Sequence, residues 1–109
     1  MNFLAHIFLS FGDKEITIGN FIADSIRANK FQHLPTKVQK GIKLHRHIDT
    51  YTDAHSIPKI SSRRLHANYS HYSRVIVDIY YDHFLAKNWS KYSDTPLDIF
   101  VEDFYDLLE

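Results

Sequence analysis

The stretch from about His71 to Trp89 does most to limit what this chain can fold into. Val75, Ile76, Val77, Ile79, Tyr80, Tyr81, Phe84 and Leu85 set apolar side chains nearly all round a helix, which predicts a central helix buried on every side. Asp78 and Asp82 interrupt that run four residues apart, on one helical face, and His83 follows at once. An unpaired carboxylate in apolar surroundings is strongly disfavoured unless it takes up a proton, and two on one face also repel each other. A divalent cation would answer both problems by taking the carboxylate oxygens as ligands. The competing readings are a structural ion pair of Asp82 with Arg46 or Arg74, and a His83 that is simply hydrogen-bonded in the core.

The remaining segments also read as helices. Only three glycines and three prolines occur, which favours long helices over many short strands. Asn2 to about Phe11 is apolar enough for a buried helix, Gly12-Asp13 makes a turn, and a second helix is expected to start at Gly19 or Asn20 and pass through Ile26. Leu34-Pro35-Thr36 opens a longer helix, since proline is tolerated in a first turn where its missing N–H is not needed. That helix runs to about Asp53 with Leu44, Ile48 and Tyr51 as its apolar stripe. Ser56 and Pro58 start a basic, exposed segment through Leu65. Asp94-Thr95-Pro96, a capping residue followed by proline, opens the last helix, in which Leu97, Phe100, Val101, Phe104, Leu107 and Leu108 recur at helical spacing. The expectation is an all-α fold, with the 109 residues forming one helical domain spanning 1–109.

The absence of cysteine rules out a disulfide framework and a thiolate metal site. No stretch approaches the roughly 20 apolar residues of a membrane span, and the first residues do not resemble a secretion signal, so a cytoplasmic protein is expected. The formal net charge of zero hides an asymmetry: all thirteen Lys and Arg residues lie at or before Lys91, and Asp94, Asp98, Glu102, Asp103, Asp106 and Glu109 follow without a base. The densest basic stretch, Arg27 to Arg64, suits an acidic protein, a phosphate-bearing ligand or RNA, or is a solvated helix face. The aromatics look like core and no recognition motif accompanies the charge, so no nucleic-acid partner is expected.

Two more segments carry polar residues where packing alone would prefer apolar ones. Asp24 directly follows Phe21-Ile22-Ala23, and His45 and Asp49 share one helical face, with Thr52 and Asp53 close by. Imidazole together with carboxylate suits Mn, Fe, Zn or Mg, with the imidazole tilting away from a pure Mg site. His33, His55, His66 and His71 lie in polar surroundings and read as surface residues. His6, after Phe3-Leu4-Ala5, either points into the site or is satisfied in the core.

These segments resemble a known family. Asn2-Phe3-Leu4-Ala5-His6, Gly19-Asn20-Phe21-Ile22-Ala23-Asp24, Gly41-Ile42-Lys43-Leu44-His45-Arg46-His47-Ile48-Asp49 with Thr52-Asp53, and Asp78-Ile79-Tyr80-Tyr81-Asp82-His83-Phe84-Leu85 with Trp89 look like acyl carrier protein phosphodiesterase. The likeness runs from Met1 to about Trp89, and four blocks in order are far more specific than any one of them. It implies an HD-domain-like helical bundle, divergent from the HD phosphohydrolases and metal-dependent, with manganese the favoured ion. It further implies hydrolysis of the phosphodiester that joins 4′-phosphopantetheine to a serine of holo-acyl carrier protein, a step in lipid metabolism and fatty acid biosynthesis.

Acyl carrier proteins are acidic, which would give the basic stretch a partner. Carried over block by block, the resemblance makes Asp24, His45, Asp49, Asp78, Asp82 and His83 the metal-site positions. His45, Asp49 and His83 are the catalytic candidates, with His83 or His45 protonating the departing serine oxygen, and Arg46 steadies the phosphate or docks the partner. Family members are longer, and this sequence stops within an amphipathic helix. The expectation is therefore a bundle incomplete at its C-terminal end, whose exposed core a second copy could cover. Two alternatives remain open: an HD-type phosphohydrolase of nucleotides or small phosphoesters, and a truncated module that grips acyl carrier protein without cutting it.

Overall fold

Asp13 starts the helix that organises the N-terminal half. Its Oδ1 accepts the Ile16 amide at 3.0 Å, satisfying one of the donors a helix start leaves free, and its other oxygen pairs with Lys37 Nζ at 3.2 Å. In the computed structural model, which describes residues 3–109, the helix it caps is α2, Lys14–Ile22, and an Ala23–Ser25 3₁₀ turn continues it. The expected start at Gly19 or Asn20 is thus too late, because the cap at Asp13 supplies the signal that the apolar pattern lacks. Before it lies α1, Phe3–Phe8; Asn2, expected to open that helix, lies outside the described residues. Then follow α3, Thr36–Ala54, after Pro35; α4, Ser56–Tyr69; α5, Ser73–Lys87; and α6, Leu97–Leu108, after Pro96. The described residues contain no strand, and none of their helices is long and apolar enough to cross a membrane.

α2 and α3 meet at two glycines. A Cβ on Gly19 would overlap the Val38 carbonyl oxygen, and one on Gly41 would overlap that of Ile16, so only glycine lets the two backbones approach this closely. Around the crossing, Ala23, Phe31, Val38 and Ile42 form the buried core, with Ile18, Ile22, Ile26 and Leu34 packed against it. The inward stripe of α3 is Val38, Gly41, Ile42 and His45. Tyr51, expected in that stripe, is 72% exposed, because the tight glycine contact rotates the Val38–Ile42–His45 face toward α2.

α1 packs on α2 and α5, and α5 on α4. α6 docks through its aromatics: Phe100 lies 4.7 Å from Trp89 and Phe104 5.2 Å from Phe21, centroid to centroid. The last helix carries no side-chain cap from Asp94, as Pro96 occupies that position; Trp89 Nε1 instead donates to the Thr95 carbonyl at 2.7 Å and fixes the approach.

The expected all-round burial of α5 is not found. Ser73 and Val77 are its buried residues, whereas Ile79 is 53% and Phe84 50% exposed. An apolar wheel needs partners on every side to be buried, and α1 and α4 cover one side only. α4, by contrast, is basic and has no buried residue, as expected. His33 and His66 are exposed, half-buried His55 caps α4 by accepting the Ile57 amide, and the side chain of His71 lies outside the described ones.

Candidate metal centre

α3 places His45 and Asp49 one turn apart, and the Gly19–Gly41 crossing brings Asn20 of α2 against the first of them. His45 Nδ1 lies 2.9 Å from the Asn20 carbonyl oxygen and 3.0 Å from Asn20 Oδ1. Both partners are acceptors, since the Asn20 amide nitrogen is committed to the His6 carbonyl and Ser10 Oγ. Nδ1 therefore carries the proton, and Nε2 is the lone-pair nitrogen of the neutral ring. That nitrogen faces Asp24 Oδ1 at 3.1 Å and Asp49 Oδ2 at 3.2 Å. The other Asp49 oxygen lies 3.1 Å from His6 Nε2, and the His6 and His45 rings are stacked with centroids 3.8 Å apart.

A lone pair and two carboxylates so close together need a proton or a cation between them. Burial pulls the His45 pKa down, but the hydrogen bond and charge of Asp49, with the charge of Asp24, outweigh it and hold the pKa above its usual value. Burial pushes Asp49 up, yet the His45 and His6 hydrogen bonds leave its carboxyl well below the usual carboxylate range. A metal is the other answer. His6, His45 and Asp49 each offer a ligand atom, and those atoms lie within 4.8 Å of one another, close enough to share one ion. Two imidazole nitrogens with a carboxylate oxygen suit Mn, Fe or Zn. Asn20 is the partner that fixes ring tautomer and orientation for such a ligand.

Of the residues singled out from sequence, the structure brings Asp24, His45 and Asp49 together and adds His6, which the sequence left between two readings. Asn20 was missed; its one signal is an amide inside the Gly19–Asp24 block. Asp82 stands elsewhere: its two oxygens accept the Leu4 and Ala5 amides at 3.0 and 3.2 Å, tying α5 to the start of α1 and so to His6. Asp78 is half-buried, and burial, with the charges of Asp49, Asp53 and Asp82, raises its pKa. His83 is exposed beside Phe84, outside the His6–His45 group. The Arg46 guanidinium lies over the Phe31 ring and donates to the Ile26 carbonyl; an ion pair of Asp82 with Arg46 or Arg74, the competing reading, is not among the salt bridges of the described residues.

The family model for acyl carrier protein phosphodiesterase matches residues 1–109. The chain belongs to this family. Acyl carrier protein phosphodiesterases of Salmonella newport (strain SL254) and Salmonella heidelberg (strain SL476) are each 38% identical to it over 106 residues, covering 93% of this chain and 53% of the relative. The chain thus spans about half the length of the curated relatives it matches. No solved structure matches it. His6, Asn20, Asp24, His45, Asp49 and Asp82 all fall within the part that matches the acyl carrier protein phosphodiesterase model.

Proposed function

We propose that the chain is the metal-binding part of a phosphodiesterase that hydrolyses the 4′-phosphopantetheine–serine phosphodiester of holo-acyl carrier protein to give the apo-protein. One observation carries the reading: two imidazole nitrogens and a carboxylate oxygen, from α1 and α3, lie within 4.8 Å of one another, with Asp24 Oδ1 3.1 Å from His45 Nε2. His6, His45 and Asp49 would hold the ion, with exposed Asp24 beside them as a further oxygen donor; manganese is the proposed metal. When bound, a divalent ion supplies Lewis acidity at a phosphoryl oxygen and a lowered pKa for water. The protein's part is positional: Asn20 holds the His45 tautomer, Asp49 spans both rings, and Asp82 anchors the helix that carries His6.

The serine oxygen needs a proton as it leaves. His83, exposed on α5, is the proposed donor, since His45 would be held as a ligand. Lys40 and Lys43, exposed on α3, fit an acidic protein partner. The setting is a single helical domain in the cytoplasm, serving fatty acid biosynthesis.

The test is release of 4′-phosphopantetheine from holo-acyl carrier protein by this chain, with and without added Mn²⁺. Metal-dependent release is expected, and charge reversal at Lys40 and Lys43 should reduce it while sparing small phosphodiesters. Carrier binding with no release under any metal would contradict the reading and favour a module that grips without cutting.

A further inference from the structure

α4 carries no acidic residue, and its Lys59 and Arg63, four apart, share the face that it turns toward α5. Between these helices and the end of α3 lies a cleft of about 570 Å³, within the range of small-molecule sites. Arg74, in the first turn of α5, lines it from the other side. The Ser62–Ser73 hydroxyl contact at 2.8 Å and buried Val77 give the cleft a fixed lining. The side chains of Lys59, Arg63 and Arg74 make no hydrogen bond or ion pair with any described residue.

Three unpaired cations on a convex surface would be a solvated face. Lining one concavity, they repel each other and focus a positive field into it. The cleft is also polarised. Its acids, Asp53 and Asp78, come from α3 and α5; Asp53 follows Asp49 by one turn, and Asp78 feels the charges of Asp49, Asp53 and Asp82. The acidic end therefore adjoins the His6–His45–Asp49 group, and the basic wall is α4 with Arg74.

We propose that Lys59, Arg63 and Arg74 form an anion subsite that holds a phosphoester group beside the metal centre, the role that Arg46 is not free to fill because Phe31 and the Ile26 carbonyl engage it. Planar guanidinium groups can bind phosphate oxygens in pairs. That the phosphate belongs to the substrate rests on the phosphodiesterase reading; the subsite itself does not. Hydrolysis converts a monoanionic diester into a dianionic monoester on the pantetheine side, so three cations favour the product phosphate over the diester.

The experiment titrates the full chain with inorganic phosphate, and in parallel with dimethyl phosphate, following backbone amide shifts. Saturable shifts confined to the cleft lining on α4, the first two turns of α5 and the last turn of α3 are expected, with inorganic phosphate bound more tightly than the diester. The Arg63→Ala/Arg74→Ala double variant should weaken phosphate binding at least tenfold, and Arg63→Lys should retain part of it. Both lie on exposed positions, so folding is checked by unchanged amide shifts in α2 and α3. Phosphate binding undiminished in the double variant, or shifts elsewhere in the chain, would overturn the subsite. Loss of phosphate binding in the double variant, from a chain that releases no 4′-phosphopantetheine, would support the subsite and count against the phosphodiesterase reading alone.

Discussion

At the scale of single residues, the chemistry turns on how His45 is held. Asn20 fixes its proton on Nδ1, and Asn20→Ala is expected to weaken metal affinity about 10–100-fold with little change in fold, measured by metal titration. The charge state follows with a definite sign. His45 has its folded pKa raised above 6.5, so its contribution to stability is fully present below that value and is lost as pH rises through the folded pKa. Asp49 has its folded pKa depressed below 3.8, so its contribution is present above that value and is lost only as pH falls far beneath it. Metal-free chain should therefore lose Tm on the alkaline side of pH 6.5, in melts recorded with a chelator. Metal affinity should run the opposite way and rise with pH, because a ligand imidazole must be neutral. A His45→Gln variant that showed the same alkaline loss of Tm would break the link. His6 was legible in sequence only as a histidine on an apolar helix, since nothing local says which of two distant segments it will meet.

At the scale of elements, the starts of α3, α4 and α6 were readable because Pro35, Ser56-Pro58 and Pro96 mark them chemically. α2 was misplaced because its start depends on one aspartate whose partners, the Ile16 amide and Lys37, include a residue from another helix. The glycine crossing was hidden for a related reason: Gly19 and Gly41 look unremarkable until the two backbones are set together. Gly41→Ala is expected to destabilise the chain by about 1–3 kcal/mol or more in urea titrations, with metal binding weakened as Asn20 moves off His45. Asp82 also has a part in holding two helices together. The residue stood out as a carboxylate in an apolar run, and its oxygens hold two main-chain amides of α1. Asp82→Ala should cost about 0.5–2 kcal/mol as a lost helix cap and speed exchange of the Leu4 and Ala5 amides, whereas Asp82→Asn, which keeps an acceptor, should retain part of both. Equal exchange in wild type and Asp82→Ala would show that the cap does not operate.

At the scale of the whole molecule, the apolar character of α5 and its actual burial come apart. Its sequence fits a helix enclosed on all sides, yet the described elements cover only the Ser73–Val77 side. Pattern reports which side chains tolerate burial; the surrounding elements decide which are buried. Ile79→Ser should accordingly change stability by less than about 0.5 kcal/mol, while Val77→Ala, at a buried position, should cost distinctly more in the same denaturant series. The metal links the separate parts: one ion held by α1 and α3 would join the N-terminal helix to the α2–α3 core, and saturating it at a hundred times its Kd would add about 2.7 kcal/mol of stability.

The most direct measurement is a calorimetric titration of the chain with Mn²⁺ at a pH above the His45 pKa. A metal centre of His6, His45 and Asp49 requires saturable binding of a single ion per chain, abolished by His6→Ala, His45→Ala and Asp49→Asn and retained in His83→Ala. Absence of saturable binding, or binding undiminished in the first three variants, would contradict it.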